Sequence, residues 1–97
     1  MLNSKQRSNL RSLAQKIEPI TQLGKGGIND AFIEGLDKAI EKRELIKVTV
    51  LENSDYLPKD AGCEIAEKLD AEFVCATGRK LVFYRRSLSD KVHHIEF

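Results

Sequence analysis

Long hydrophobic runs, paired cysteines and the glycine patterns of nucleotide-cleaving enzymes are all missing from this 97-residue chain. No apolar run exceeds five residues, far short of the ~20 needed to span a bilayer. The first residues, Met1 to Arg11, are basic and polar, without the apolar segment of a secretory signal. The expectation is a cytoplasmic protein that makes no use of a membrane. Two cysteines, Cys63 and Cys75, stand far apart with no C-x-x-C spacing, so neither a disulfide framework nor a zinc knuckle is encoded and reduced thiols are expected. Repeats, low-complexity stretches and interdomain linkers are lacking too. One domain, residues 1 to 87, followed by a tail, residues 88 to 97, accounts for the length.

Catalytic patterns are equally scarce. The glycines of Gly24-Lys25-Gly26-Gly27 miss the G-x-x-x-x-G-K-[ST] order of a phosphate-cleaving loop, because the lysine precedes the last glycines and no hydroxyl follows. They also miss the third glycine of G-x-G-x-x-G. His93 and His94 are adjacent, and neighbouring side chains diverge, so solvated tail histidines are expected rather than a shared metal or base. Cys63 and Cys75 read as packing residues. Pairs such as Glu41 and Glu44, or Glu64 and Glu67, have helical spacing without an apolar pocket and read as solvated helix faces. The expectation is a non-enzyme with no cofactor.

Charge is present but unevenly placed. Residues 52 to 74 hold seven acids against two bases, a local −5 that leaves +6 on the remainder of a chain whose net charge is +1. Residues 1 to 16 contain Lys5, Arg7, Arg11 and Lys16 with no acid, and residues 78 to 91 contain Arg79, Lys80, Arg85, Arg86 and Lys91 against Asp90 alone. Such a dipolar chain has segments suited to phosphate.

Periodicity supplies the elements. Leu10, Leu13, Ala14 and Ile17 follow the i, i+3, i+4, i+7 rule of an amphipathic helix that Pro19 stops. Residues 19 to 24 form a short extended piece. Asn29 caps a second helix with Asp30 at its positive end and Ile28 and Ile33 as a staple. "LIKVTVL" alternates as a strand, and Pro58 opens a third helix. "EFVCAT" and "KLVFYRR" flank Gly78-Arg79, a pair suited to a type II′ hairpin. The order is α-β-α-β-α-β-β, which predicts an α/β two-layer sandwich of three helices on a four-stranded mixed sheet.

Two places could meet nucleic acid. A strand that ends in Gly24-Lys25-Gly26-Gly27 and opens a capped helix leaves amides near a positive helix end, with room for a sugar-phosphate backbone and Lys25 at the tip. The same glycines would also serve a mere tight connection. In the terminal hairpin Arg79, Lys80, Arg85 and Arg86 bracket an apolar strand, and Tyr84 offers a ring for a base. Edge-strand cations also deter aggregation.

The run "SKQRSNLRSLAQKIEPITQLGKGGINDAFIEGLDKAIEKRELIKVTV" and the ending "TGRKLVFYRRS" closely resemble YhbY-type proteins, single-domain bacterial members of the CRM (chloroplast RNA splicing and ribosome maturation) family. The resemblance covers about residues 2 to 87. It implies a KH-like fold similar to the C-terminal domain of the third bacterial translation initiation factor, and RNA binding without catalysis. The implied partner is ribosomal RNA of the precursor large subunit, contacted by a monomer during ribosome assembly. Gly24 and Gly27 correspond to the GxxG glycines, with Lys25 and Gly26 between them. Unlike a KH module, the loop here joins a strand to a helix. Lys5, Arg7, Arg11, Arg79, Lys80, Tyr84, Arg85 and Arg86 would extend the footprint. The alternative is a protein-interaction module that docks on a ribosomal protein or assembly factor through the acidic third helix.

Overall fold

The computed structural model describes residues 2–88 and 94–97. Seven elements follow in the order α1 (Ser4–Ala14), β1 (Thr21–Leu23), α2 (Asp30–Arg43), β2 (Leu45–Val50), α3 (Pro58–Leu69), β3 (Glu72–Thr77) and β4 (Lys80–Tyr84). This is the predicted order, with the predicted number of helices and strands.

Local chemistry explains the element boundaries. Asn3 caps α1 by accepting the Gln6 N–H, while the Gln6 side chain returns to the Asn3 N–H, a reciprocal capping box. Asn29 caps α2, accepting the Phe32 N–H at 2.8 Å. Pro58 occupies the first turn of α3, where its missing N–H costs nothing. Gly78 has φ +60 in a two-residue connection between β3 and β4, as a hairpin glycine requires.

The sheet order is β1-β2-β4-β3. β1 runs parallel to β2 across α2, whereas β4 is antiparallel to both β2 and β3. The last strand in the chain therefore fills a central slot. Its residues Leu81, Val82, Phe83 and Tyr84 are all buried, and a strand buried on both faces needs cover on both faces. One core holds Leu23, Leu36, Ile40, Ile46, Val48, Val50, Ile65, Leu81 and Phe83 under α2 and α3. The other holds Leu10, Ala14, Leu45, Val74, Val82 and Tyr84 under α1. Helices thus lie on both sides of the sheet, so the layers number three, not the two expected, because "KLVFY" is apolar at odd and even positions alike.

Residues 94–97, read from the sequence as part of a tail, are packed onto the fold. Ile95 and Phe97 pack against the α1-side core, and the Phe97 ring meets Tyr84 edge-on with centroids 4.8 Å apart. Glu44 holds this segment. Its carboxylate is fully buried, and it accepts N–H bonds from Ser87 at 2.6 Å and Ile95 at 2.7 Å and contacts His94 Nδ1 at 2.5 Å. Glu41 accepts from the Ser87 hydroxyl and the Leu88 N–H. Neither glutamate is the solvated face its spacing suggests, and His94 is not a solvated tail histidine; His93 lies outside the described residues. Burial alone would raise the Glu44 carboxyl, but the bonds from His94, Ser87 and Ile95 outweigh it and hold the group below its ordinary range.

Candidate nucleic-acid interface

Register places three connections at one end of the sheet. Leu23 pairs with Val50, so Gly24 to Gly27 leave the sheet beside residues 51–57. Thr49 pairs with Lys80, and the Val50 N–H donates to the Arg79 carbonyl at 2.7 Å, which brings the β3–β4 turn to the same end. Lys25, Gly26, Arg79 and Lys80 are all exposed there.

The glycine loop is a closed turn. The Gly27 N–H donates to the Gly24 carbonyl at 3.1 Å, and Gly27 has φ +71, a conformation that disfavours any side chain. One loop amide is therefore spent inside the turn, and Asn29 takes the Phe32 amide at the start of α2. Asp30 stands in the first turn of that helix. What the loop offers outward is its tip, the Lys25 cation and the bare backbone of Gly26. The Arg79 guanidinium donates to the Leu51 carbonyl at 3.4 Å, tying the hairpin to the neighbouring connection.

Other cations named from the sequence are placed differently. Arg11 is exposed on α1 and lines, with Lys47 and Lys80, a depression of about 330 Å³ between that helix and the sheet. Lys5 is exposed on α1, and Arg86 is exposed beyond Tyr84, at the opposite end of the sheet.

Four expectations need correction. Arg7 is half-buried, its guanidinium donating to the carbonyls of Phe73 and Val74 at 2.6 and 2.9 Å, so it fastens α1 to β3 rather than reaching a ligand. Arg85 donates to Asp37 at 2.7 Å and to the Leu69 carbonyl at 2.8 Å, and lies 3.6 Å from Glu41, joining β4 to α2 and α3. Tyr84 is only 7% exposed and lies beneath Phe97, which removes the ring expected to stack on a base. Burial and the nearby negative charge of Glu44 push its phenol up, against a smaller opposing effect of Arg86. Cys63 also departs from its expected packing role and is exposed on α3, whereas Cys75 is half-buried beside α1.

Lys47 is the residue that sequence reasoning passed over. It donates to the Ala14 carbonyl at 2.9 Å and reaches the Ile17 carbonyl at 3.5 Å, complementing the negative end of α1. The signal was in "LIKVTV", where Lys47 and Thr49 alternate with buried Ile46, Val48 and Val50 and so must face the other side. A second depression of about 680 Å³, lined by Leu13, Ile17, Leu45 and Ile95, is mainly apolar and is walled by the α1 side of the chain and the C-terminal segment.

No helix among the described residues is long and apolar enough to cross a membrane. Among the same residues no group of three His, Cys, Asp or Glu could hold a metal ion.

Comparison with known proteins agrees with this architecture. Residues 2–85 match the CRS1 / YhbY (CRM) domain. A Bacillus subtilis protein named "Probable RNA-binding protein YqeI" is 40% identical over 91 residues, covering 94% of this chain and 95% of its own. A Haemophilus influenzae protein named "RNA-binding protein" is 30% identical over 91 residues, covering 94% and 92%. The solution structure of SAV1595 from Staphylococcus aureus is similar with a TM-score of 0.70 at 44% identity, covering 98% of this chain and 100% of that one. With a match across nearly its whole length and the same fold in a solved relative, this chain belongs to the CRS1 / YhbY (CRM) domain family.

Proposed function

We propose that this protein is a cytoplasmic, non-catalytic RNA-binding protein that contacts ribosomal RNA of the precursor large subunit and assists its assembly. The observation that carries the reading is the gathering of Lys25, Gly26, Arg79 and Lys80 at one exposed end of the sheet. Relatives named for RNA binding support it. At the tip, Gly26 lets a phosphate approach the backbone, Lys25 neutralises it, and the hairpin cations extend the contact. Phosphate contacts of this kind position a nucleic acid without reading its sequence. α3, the helix within the acid-rich residues 52–74, lies against the opposite face of the sheet from α1 and would turn away from RNA.

The test is a fluorescence-anisotropy titration of large-subunit rRNA fragments at several salt concentrations, with wild type and a Lys25→Asp, Gly26→Asp variant checked for folding by circular dichroism. The expected result is salt-dependent binding that the variant loses by about 10-fold or more, since two phosphate contacts are replaced by repulsion. Unchanged binding by the variant would reduce the loop to a connection. Absence of binding by wild type would favour a docking module, and capture of a ribosomal protein abolished by reversing acids on α3 would establish that alternative.

A further inference from the structure

α1 covers only part of its side of the sheet. It ends at Ala14 above Val74, Val82 and Leu45, and the next rank of side chains on that face has no helix over it. Gln22 pairs with Thr49, Thr49 with Lys80, and Lys80 with Thr77. These four form one row across all four strands. The flanking residues Leu23, Val50 and Leu81 are buried under α2 and α3, so alternation turns the row to the α1 side. Gln22, Lys80 and Thr77 are exposed and Thr49 is half-buried. One rank below, Lys47 pairs with Val82 and Val82 with Cys75, and Arg11 overhangs the depression that Lys47 and Lys80 share.

The chemistry of this surface is specific. Neither the depression under Arg11 nor the one of about 510 Å³ bordered by Gln22 and Thr49 is lined by an Asp or Glu among the described residues. The row carries no aromatic ring, so it cannot stack bases as other sheet-based RNA binders do. Its neutral members, Gln22, Thr49 and Thr77, each both donate and accept hydrogen bonds, and a ribose 2′-hydroxyl does the same. Four strands spaced ~4.8 Å apart give the row a length of roughly 14 Å, a track rather than a point.

We infer that this open half of the sheet holds the ribose-phosphate backbone of single-stranded RNA, with Lys80 and Arg11 on phosphates and Gln22, Thr49 and Thr77 on 2′-hydroxyls. The inference rests on the RNA-binding reading and adds to it a preference for RNA over DNA. The track continues from the hairpin beside the glycine loop, so one strand can cross from Lys25 to Arg11.

The native cysteines report on it directly. Cys75 lies in the wall of the track, while Cys63 is exposed on α3 across the sheet. A short mixed-sequence single-stranded RNA should slow alkylation of Cys75 by a maleimide and leave Cys63 unaffected. In parallel, a Thr49→Val, Thr77→Val variant keeps β-branched shape and removes both hydroxyls. It should bind that RNA about 10-fold more weakly, with affinity for DNA of the same sequence unchanged. Lys80→Gln should weaken both and lower the salt slope by about one. If wild type binds RNA through Lys25 but Cys75 reacts at its free rate and both variants bind normally, the track is wrong and the loop reading stands. Equal binding of RNA and DNA by wild type would overturn the ribose assignment. Binding of neither would remove both readings.

Discussion

The two faces of the sheet are built from the same four strands and finished in opposite ways. On the α2 and α3 side the alternating residues Leu23, Ile46, Val48, Val50, Leu81 and Phe83 are at most 1% exposed, and the acid excess of residues 52–74 belongs to α3 and the segments that flank it. On the other side a single helix covers the ranks nearest Tyr84, and the polar rank at the far end stays open. One face is closed throughout, and the other is closed only where α1 and the C-terminal residues lie. Stopping a helix early leaves a polar rank open without any loss of core on the reverse side.

Changes that damage the closed or clamped parts should cost most, and changes on the outer surface least. Glu44→Ala leaves the buried N–H groups of Ser87 and Ile95 without their acceptor, so a loss of about 2–3 kcal/mol in urea unfolding is expected. The same clamp sets a pH dependence. Because the Glu44 carboxyl is held below its ordinary value of 4.5, its contribution is complete above that value and fades as the pH falls through the lower folded one. With Tyr56→Phe in both proteins so that Tyr84 alone emits, fluorescence quenching by added iodide should rise over that acidic range when Glu44 is present but already be high at neutral pH in the alanine variant. Equal quenching in both would show that Glu44 does not hold the tail.

Next comes the closed face. A Cβ on Gly62 would lie 2.3 Å from the Phe73 ring, which is stacked on Phe83 at 5.6 Å. Gly62→Ala gains roughly 1 kcal/mol of helix propensity yet should still lose about 1–2 kcal/mol overall through overpacking. A midpoint raised by this substitution would mean that α3 can lift away from β3 at little cost. The smallest effect belongs to the outer surface of α3. Glu64→Lys with Glu67→Lys should leave the unfolding midpoint near that of wild type and leave RNA affinity unchanged or raised. A fall in RNA affinity would put nucleic acid on both faces and end the distinction between them.

Local rules were enough for most of the fold. Asn29, Pro58, Gly78 and the alternation of "LIKVTV" each act within a few residues, and each element formed where they placed it. The glycine loop and the hairpin were legible as candidates for the same reason. What escaped the sequence depends on partners far along the chain. Arg7 is spent on carbonyls 66 and 67 residues away, and Arg85 on Asp37, 48 residues away. A cation that will be tied to a distant carbonyl looks the same in one dimension as a cation that will meet phosphate. Tyr84 was ambiguous because "KLVFY" has no polar alternate, and only the central position of β4 shows why both of its sides are dry. Glu44 breaks the helical pattern outright, with φ +64 at the end of α2, a conformation that no spacing rule announces.

The central placement of the last strand bears on how the chain is made. During synthesis β1 and β2 emerge first and can pair, but β2 has an open ladder edge until residues 80–84 leave the ribosome. β3 has no partner at all until its hairpin closes on the same residues. Until then the chain carries unsatisfied strand edges and lacks Leu81 and Phe83 from one core and Val82 and Tyr84 from the other. The sheet does not grow outward strand by strand; it is locked from the middle, in one late step, by the five residues Lys80–Tyr84.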